Sequence, residues 1–195
     1  DVYADKIRNE CISAGIDISH ILKVEDHASS TYISVLDENG DMFVALSDMS
    51  VLQKMTVDFI HSKSSIIKGS RLITCDPALH PDVMEEILNL YSDTIPVFVD
   101  PVSCAYAETI VDFIGKFHTA KPNILETEIL SGMKIKSKKD LYKAAEKILD
   151  KGLKRIFISL GADGCLYMDR EGKHIERKLA PVEHMVNATG AGDAF

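Results

Sequence analysis

The chain alternates short, almost continuously apolar runs with longer segments in which apolar residues recur every three or four positions. Runs of the first kind, which predict strands, lie at 72–75, 95–99 and 155–160. Weaker strands are predicted at 164–168 and 174–179, around a Glu171-Gly172 turn. Segments of the second kind predict helices over 81–91, 105–117, 126–131 and 137–149. Continuously apolar strands separated by helices are typical of a parallel sheet buried on both faces.

The first part of the chain has a different pattern, that of a one-sided antiparallel ribbon. Residues 31–36 and 42–46 are rich in β-formers, and Asn39-Gly40 between them tolerates positive φ, so the two runs predict a hairpin. The expected fold is therefore α/β: a three-layer α/β/α sandwich with a mostly parallel central sheet. A small β lid at about 17–48 accompanies the sheet, and residues 1–195 form one partial domain.

Polar segments follow several of the predicted strands. They are Asp76-Pro77, Asp100-Pro101, Lys121-Pro122-Asn123 and the stretch 160–164. In doubly wound sheets ligands bind beyond the carboxyl ends of the strands, so these segments predict the ligand-binding edge.

Composition and charge disfavour several classes of function. The 195 residues carry a formal charge of −8, which disfavours binding to nucleic acid or to an anionic membrane surface. No apolar stretch approaches the length of a spanning helix, and no secretory signal follows Asp1. The cysteines are far apart: Cys11, Cys75, Cys104 and Cys165. Scattered cysteines favour reduced thiols and a cytoplasmic location.

The segment 187–195, Asn-Ala-Thr-Gly-Ala-Gly-Asp-Ala-Phe, has the composition of a phosphate site. Gly190 and Gly192 allow the backbone to approach a ligand closely. If a helix begins here, its first amide groups form an anion site, and Asp193 beside them is kept ionised. Phosphoryl transfer requires both features, stabilised charge on the moving group and a base for the attacking hydroxyl.

Other motifs fail on spacing. A dinucleotide fingerprint, and with it a NAD-linked dehydrogenase, would need Gly or Ala where Phe195 stands, and a nucleophile elbow at Ser159 would need Gly in place of Phe157. No P-loop sequence occurs. Purely structural alternatives stay open: a glycine turn with a capping Asp at 190–193, and a capping box formed by Asn123 and Glu126.

The segment 187–195 resembles the signature of the ribokinase-like carbohydrate and nucleoside kinases, usually Asp-Thr-x-Gly-Ala-Gly-Asp-x-Phe. Three other segments occur in the family's order. Lys121-Pro122-Asn123-x-x-Glu126 is similar to its Asn-x-x-Glu motif, and 159–164, Ser-Leu-Gly-Ala-Asp-Gly, to its nucleotide-phosphate loop. Ala14-Gly15-Ile16-Asp17 resembles the segment before the lid strands.

The resemblance implies a role for each matching residue. Asp193 would be the catalytic base, while Gly190, Ala191 and Gly192 would hold the γ-phosphate of ATP. Mg²⁺ would be placed through water by Asn123 and Glu126. The nucleotide would also be bound by Ser159, Gly161, Gly164 and Thr189. Asn187 and Thr189 stand where some members bind a monovalent cation, although Asn lacks the charge of the usual Asp.

On the substrate side the resemblance implies Asp17 and Thr31 as contacts, although ordinary lid residues would look the same. The chain is most similar to family members that phosphorylate the 5′-hydroxyl of pseudouridine. Ribose, fructose, 2-keto-3-deoxygluconate or adenosine are alternative acceptors, and a non-catalytic nucleoside-binding regulator is another possibility. The family's lid strands often pair between subunits, which suggests a homodimer. The family's domain is expected to be incomplete at both ends here, so the isolated chain should be poorly active.

Overall fold

The structure, a computed structural model, describes residues 2–37, 42–180 and 190–194. The α-helices are α1 (Val2–Ser13), α2 (Val57–Ser62), α3 (Ser64–Lys68), α4 (Pro81–Tyr91), α5 (Cys104–Ile110), α6 (Ile124–Ser131), α7 (Lys138–Asp150) and α8 (Ala191–Ala194). The strands are β1 (Thr31–Leu36), β2 (Met42–Asp48), β3 (Ile73–Cys75), β4 (Val97–Val99), β5 (Thr119–Ala120), β6 (Arg155–Ser159), β7 (Cys165–Asp169) and β8 (His174–Arg177). Short 3₁₀ turns lie at Ser50–Lys54, Ile114–Lys116 and Gly161–Asp163.

The chain divides into two compact units, one formed by residues 1–63 with 184–195 and the other by residues 64–183. The first unit contains a two-stranded antiparallel sheet of β1 and β2, with Ile33 opposite Leu46. This pairing confirms the predicted lid hairpin, and β2 continues two residues beyond the predicted end. Helix α1 was not predicted, because none of its residues is buried and it carries no clear apolar stripe.

The second unit contains a six-stranded sheet in the order β3-β4-β5-β6-β7-β8. Strands β3 to β6 run parallel, and β7 and β8 add two antiparallel strands at one edge. The α/β class is therefore confirmed, with a mostly parallel sheet flanked by helices in the second unit and a small antiparallel sheet in the first. Among the described residues, no helix is both long and apolar enough to cross a bilayer.

Helices α4 and α7 follow from local sequence. Helix α4 covers the predicted range, with Pro81 at its first position and the predicted apolar face buried: Val83, Met84, Ile87, Leu88 and Tyr91. Helix α7 begins after Ser137, whose hydroxyl accepts a hydrogen bond from the Asp140 amide, as expected of an N-cap. Both helices pack apolar stripes into the core of the second unit.

The predicted helix over 105–117 is wrong in its second half. Helix α5 ends at Ile110, and the chain continues into the 3₁₀ turn at Ile114–Lys116. Within that turn lies Gly115, where a Cβ atom would come within 2.6 Å of the Lys151 carbonyl carbon and closer still to its oxygen. This backbone contact with the residue after α7 is incompatible with a side chain at 115, so glycine is required there.

Candidate active site

The carboxyl ends of β3, β4, β5 and β6 lie at one edge of the sheet because these strands are parallel. The polar segments predicted to follow them therefore meet at this edge. The strands lead into Asp76, Asp100, Lys121 and Leu160. Ligands of doubly wound sheets bind at such an edge, so it is the candidate active site of the second unit.

Asn123 and Glu126 form a reciprocal capping box at the start of α6. The Glu126 amide donates to Asn123 Oδ1 at 2.9 Å, and the Asn123 amide donates to Glu126 Oε2 at 2.9 Å. Asn123 Nδ2 also donates to Glu126 Oε1 at 2.9 Å. The capping alternative is thus realised in the structure, and it fixes the Glu126 carboxylate firmly because both of its oxygens accept hydrogen bonds.

Glu126 is a buried carboxyl group with charged neighbours. Its residue is only 2% exposed. Burial raises the pKa of the Glu126 carboxyl above its ordinary value, and the carboxylate of Asp100 raises it further. The hydrogen bonds from Asn123 and the ammonium group of Lys121 oppose that rise. Perturbed carboxyl groups of this kind are concentrated at functional sites.

Asp100 and Lys121 form an ion pair across the ends of β4 and β5, with Lys121 Nζ 2.7 Å from Asp100 Oδ2. The side chains are 21% exposed at Lys121 and 33% exposed at Asp100, so the pair is partly shielded yet reachable from solvent. Sequence reasoning placed both segments at the ligand edge but assigned neither residue a role. The available signal was their position directly after two neighbouring strands.

A strained turn follows Asp100. Val102 has φ of +62°, and the Ser103 amide donates to the Pro101 carbonyl at 2.6 Å, which closes a three-residue γ-turn. A β-branched residue in this region is an outlier that costs on the order of 1–3 kcal/mol. The Val102 amide also donates to Asp100 Oδ1 at 3.3 Å, so the turn helps to hold the Asp100 carboxylate.

Ser159 lies next to Asn123, because its amide donates to the Pro122 carbonyl at 3.0 Å and the two residues form a parallel bridge. The following turn carries the two predicted loop glycines, both at positive φ. A Cβ atom at Gly161 would meet nothing within 4 Å, whereas Gly164 packs against the backbone of Arg177 and Lys178. Packing alone therefore explains why residue 164 is glycine. Of the two glycines, only Gly161 has open space where a side chain would lie.

A concavity of about 420 Å³ adjoins this loop. Leu160 and Leu141 contribute apolar surface to it, and basic side chains such as Lys136 and Arg177 also line it. Part of its basic charge is neutralised, because Lys138 Nζ lies 2.8 Å from Glu176 Oε1.

The remaining predicted residues belong to the first unit. Gly190 adopts φ of +81° and α8 begins at Ala191, so the backbone expected of the Gly-Ala-Gly-Asp turn is present. The Ala194 amide donates to the Gly190 carbonyl at 3.0 Å. The side chain of Asp193, together with Asn187 and Thr189, lies outside the described residues.

The two predicted substrate contacts, Asp17 and Thr31, are exposed. Asp17 Oδ1 accepts a hydrogen bond from the Ser19 amide at 2.8 Å, and the Thr31 hydroxyl donates to the Ser29 carbonyl at 3.3 Å. Both contacts are local, as in ordinary turn residues, so a role in substrate binding stays a prediction.

The side-chain oxygens at the carboxyl edge could hold Mg²⁺ only together with other ligands. Mg²⁺ prefers oxygen atoms and retains several waters, and Asp100, Asn123 and Glu126 provide side-chain oxygens. Both oxygens of Glu126 already accept hydrogen bonds. In the described part of the chain, no group of three or more His, Cys, Asp or Glu residues could hold a metal by itself. Contacts through water, alongside phosphate oxygens, are therefore what these residues can offer.

Comparison with known proteins places the chain among kinases. Its entire length, residues 1–195, matches the model of the pfkB family of carbohydrate kinases. It is 33% identical over 196 aligned residues to a pseudouridine kinase of Escherichia coli strain K12, covering 100% of this chain and 62% of that protein. The chain thus spans less than two thirds of the length of this relative.

Two solved structures share the fold of this chain. A provisionally named sugar kinase from Clostridium perfringens has a TM-score of 0.83 and 36% identity, covering 99% of this chain and 60% of that chain. A provisionally named ribokinase II from Escherichia coli, in complex with ATP and Mg²⁺, has a TM-score of 0.81 and 17% identity, covering 99% and 63%. With its sheet, its small antiparallel sheet and its full-length match, the chain belongs to the pfkB family of carbohydrate kinases.

Proposed function

We propose that the complete protein transfers the γ-phosphoryl group of ATP to the 5′-hydroxyl of pseudouridine. The observation that carries the proposal is the match to a pseudouridine kinase along the entire chain at 33% identity. ATP and Mg²⁺ are proposed as co-substrate and cofactor because a solved relative of the same fold holds both. The Asp100–Lys121 ion pair and the fixed Glu126 carboxylate lie at the carboxyl edge of the sheet, and they supply charges of the kind that a nucleotide site needs.

The transfer proceeds in line, without a phosphoenzyme. Asp193 takes the proton from the attacking 5′-hydroxyl, and the amides at Gly190, Ala191 and Gly192 receive the γ-phosphate as charge builds on it. The positive φ of Gly190 and the helix that begins at Ala191 support this assignment, because such a turn aims free amides outwards.

In the second unit, Ser159 and Gly161 are proposed to line the nucleotide phosphates, with Gly164 shaping the turn. Asn123 and Glu126 orient waters, and Asp100 adds a carboxylate. When bound, Mg²⁺ would neutralise charge on the phosphates. Thr189 is proposed as a nucleotide contact, and Asn187 with Thr189 as a monovalent-cation position of reduced charge. Asp17 and Thr31 are proposed as substrate contacts.

An acceptor panel tests the substrate. The complete protein is incubated with ATP, Mg²⁺ and one acceptor at a time, and ADP release and product mass are measured. Uridine is the matched control, because it differs from pseudouridine only in the bond between base and ribose. We expect the highest kcat/KM with pseudouridine. A higher value with ribose, fructose, 2-keto-3-deoxygluconate or adenosine would assign the protein to that acceptor instead.

Replacement of Asp193 tests the mechanism. Asp193→Asn removes the base and should lower kcat by roughly 10²- to 10⁴-fold, the usual range for loss of a general base. Asp93→Asn is the control, because Asp93 is an exposed residue that precedes β4, at the opposite end of that strand from the site. Unchanged turnover in Asp193→Asn would remove Asp193 from the mechanism.

A binding protein without turnover is the alternative from another class. It would show tight nucleoside or nucleotide binding by calorimetry with no ADP produced from any acceptor. The chain's Gly-Ala-Gly-Asp turn and its fixed Asn123–Glu126 pair favour the enzyme. We further propose that residues 1–195 alone are poorly active, because they align with only 62% of the length of the pseudouridine kinase relative. Full-rate turnover by the isolated chain would contradict this.

We also propose a homodimer that forms through the lid strands. Ile33 and Leu46 face each other across β1 and β2 and are 55% and 65% exposed, and Phe43 is 78% exposed. A two-stranded ribbon with so much exposed apolar surface is marginal alone and gains stability from a partner. Light scattering should give twice the chain mass for the complete protein, and Phe43→Asp should reduce it to the single-chain mass.

A further inference from the structure

The concavity beside the turn between β6 and β7 lies within the second unit, and the proposed reaction uses none of the residues that line it. Its volume of about 420 Å³ is within the range of small-molecule pockets. Its apolar floor consists of Ile124, Ile135, Leu141 and Leu160. These residues come from the start of α6, the α6–α7 connection, α7 and the end of β6, so several packed elements shape the floor.

Charged side chains also line the concavity, and among the described residues positive charge is in excess. They are Lys136, Lys138, Arg177, Lys178, Asp163 and Glu176. Lys138 and Glu176 neutralise each other, because Lys138 Nζ lies 2.8 Å from Glu176 Oε1, and the Tyr142 hydroxyl also donates to this carboxylate. Three basic groups and one acid, Asp163, are left. The concavity thus has a surplus of two positive charges in a chain whose formal charge is −8.

The three remaining basic side chains are available to a ligand. In the part of the chain that the structure describes, Lys136 and Lys178 have no ion-pair partner. Arg177 donates one N–H group to the Glu176 carbonyl at 3.2 Å, which leaves the other N–H groups of its guanidinium for an anion. All three residues are exposed. Because like charges repel one another, a bound anion would lower the electrostatic free energy of this cluster.

The concavity is separate from the positions proposed for the nucleotide phosphates, although both involve the same turn. Leu160 and Asp163 line the concavity, whereas Ser159, Gly161 and Gly164 do not. Hydrogen bonds close the turn: the Leu160 amide donates to the Gly164 carbonyl at 2.8 Å, and the Gly164 amide donates to the Gly161 carbonyl at 3.1 Å. A ligand in the concavity would therefore contact a closed turn whose other residues are proposed to face the nucleotide.

We propose that the concavity binds a small organic phosphate, a phosphomonoester with a flat, weakly polar ring, at a site distinct from that of ATP. The ring covers the apolar floor, and the phosphate, with about two negative charges at pH 7, balances the surplus at Lys136, Arg177 and Lys178. Its charge opposes the binding of a triphosphate at the neighbouring turn, so each ligand weakens the binding of the other. The site itself is independent of the proposed kinase function, whereas its effect on ATP rests on that function.

Calorimetry on the complete protein tests the site with phenyl phosphate, which has both a flat ring and a phosphate. Inorganic phosphate and phenol are the controls, because each has only one of these two parts. Both should bind at least about tenfold more weakly than phenyl phosphate, since burial of the ring and pairing of the phosphate each contribute. If inorganic phosphate or phenol bound as tightly as phenyl phosphate, the combined apolar and cationic site would be refuted.

Two substitutions locate the phosphate. Arg177→Met and Lys136→Met should each weaken phenyl phosphate binding by about tenfold, the effect of losing one charge-assisted hydrogen bond. Lys173→Met is the matched control, because Lys173 directly precedes β8 and Arg177 is the last residue of that strand, so the two lie at its opposite ends. The control should keep the affinity within about twofold, and melting temperatures identify any variant that loses its fold. Unchanged binding in both Arg177→Met and Lys136→Met would refute the proposed site.

Titration of ATP at increasing concentrations of phenyl phosphate distinguishes a second site from competition at one site. With two linked sites, the apparent Kd for ATP should rise about fivefold and then reach a plateau. A rise in proportion to phenyl phosphate without a plateau would mean a shared site and would overturn the inference, and an unchanged Kd would refute the linkage. A wild type that binds no ATP would refute the proposed kinase function, and phenyl phosphate binding to the wild type and to Arg177→Met would still decide the site.

Discussion

The two glycines of the Leu160–Gly164 turn should respond very differently to a single added methyl group. Both have positive φ, +60° at Gly161 and +96° at Gly164. At Gly161 an added Cβ atom would meet nothing within 4 Å. At Gly164 it would lie 2.8 Å from the carbonyl carbon of Arg177 and 2.8 Å from Lys178 Cα, with the Arg177 oxygen closer still. Substitution by alanine therefore tests backbone strain alone at Gly161, and backbone strain together with a steric clash at Gly164.

The magnitudes follow from these surroundings. Gly161→Ala should cost about 1–2 kcal/mol, the penalty for an ordinary residue in the left-handed region. Gly164→Ala has a higher conformational cost, because φ of 96° and ψ of −127° lie outside the left-handed helical region, and it adds overpacking against backbone, which costs about 1–3 kcal/mol more. The obstacle is the backbone at the end of β8, Arg177 and the following Lys178, so the β7–β8 edge would have to move. We therefore expect Gly164→Ala to be the more destabilising variant by about 2 kcal/mol.

Urea denaturation monitored by circular dichroism measures the difference as a shift in the midpoint at constant slope. Nucleotide affinity, measured on the folded variants, gives the second readout. Gly161 faces open space beside Ser159, so Gly161→Ala should weaken ATP binding more than its small stability loss suggests. Gly164→Ala should show the reverse, a large stability loss and a smaller direct effect on the nucleotide.

Equal midpoints for the two variants would refute the reasoning, because they would mean that the backbone at Arg177 and Lys178 does not crowd Gly164. A stable Gly164→Ala variant that has lost ATP binding would instead make Gly164 a ligand-contacting glycine.

Three further predictions concern side chains of the second unit. Tyr91→Phe should raise the unfolding free energy by about 1 kcal/mol, because the buried Tyr91 hydroxyl has no hydrogen-bond partner among the residues that the structure describes; an unchanged or lower urea midpoint would contradict this. Val102→Gly should raise the free energy of unfolding by about 1 kcal/mol, because the relief of backbone strain exceeds the entropic cost of glycine and the Val102 side chain is 59% exposed. Val102→Ala, which keeps the Cβ atom, is the control in the same urea titration. Burial, with Arg155 and Lys154 nearby, lowers the pKa of His118 below its ordinary 6.5, so the unfolded chain binds the proton more readily. The free energy of unfolding should therefore fall as pH drops through 6.5, and it should fall less steeply in His118→Asn. Urea titrations from pH 8 to 5.5 measure this, and identical pH profiles for the wild type and the variant would contradict the prediction.

Much of the fold could be predicted because its signals are local. Five apolar positions of α4 recur at helical spacing and are buried. The N-cap at Ser137 and the left-handed C-cap at Gly132 depend only on their immediate neighbours. Helix α5 was predicted too long because the apolar spacing continues through Phe113, Ile114 and Phe117, although the helix ends at Ile110.

Part of the candidate site could be proposed from sequence for the same reason. Asn123, Glu126 and Ser159 belong to short motifs, and the structure brings them together at one strand edge. The pair of Asp100 and Lys121 was missed because it joins two strands, and neither residue stands out in its own segment. The strain at Val102 was missed as well, because its sequence, Pro-Val-Ser, does not favour positive φ.

By itself the sequence determined the class of fold, the edge at which a ligand should bind and the family of the chain, because periodicity and short motifs are properties of neighbouring residues. Only the tertiary structure decided which charges lie within 3 Å of one another and which glycine has room for a ligand. Those facts depend on the register between strands and on backbone contacts between segments far apart in the chain, and neither is encoded in any single segment.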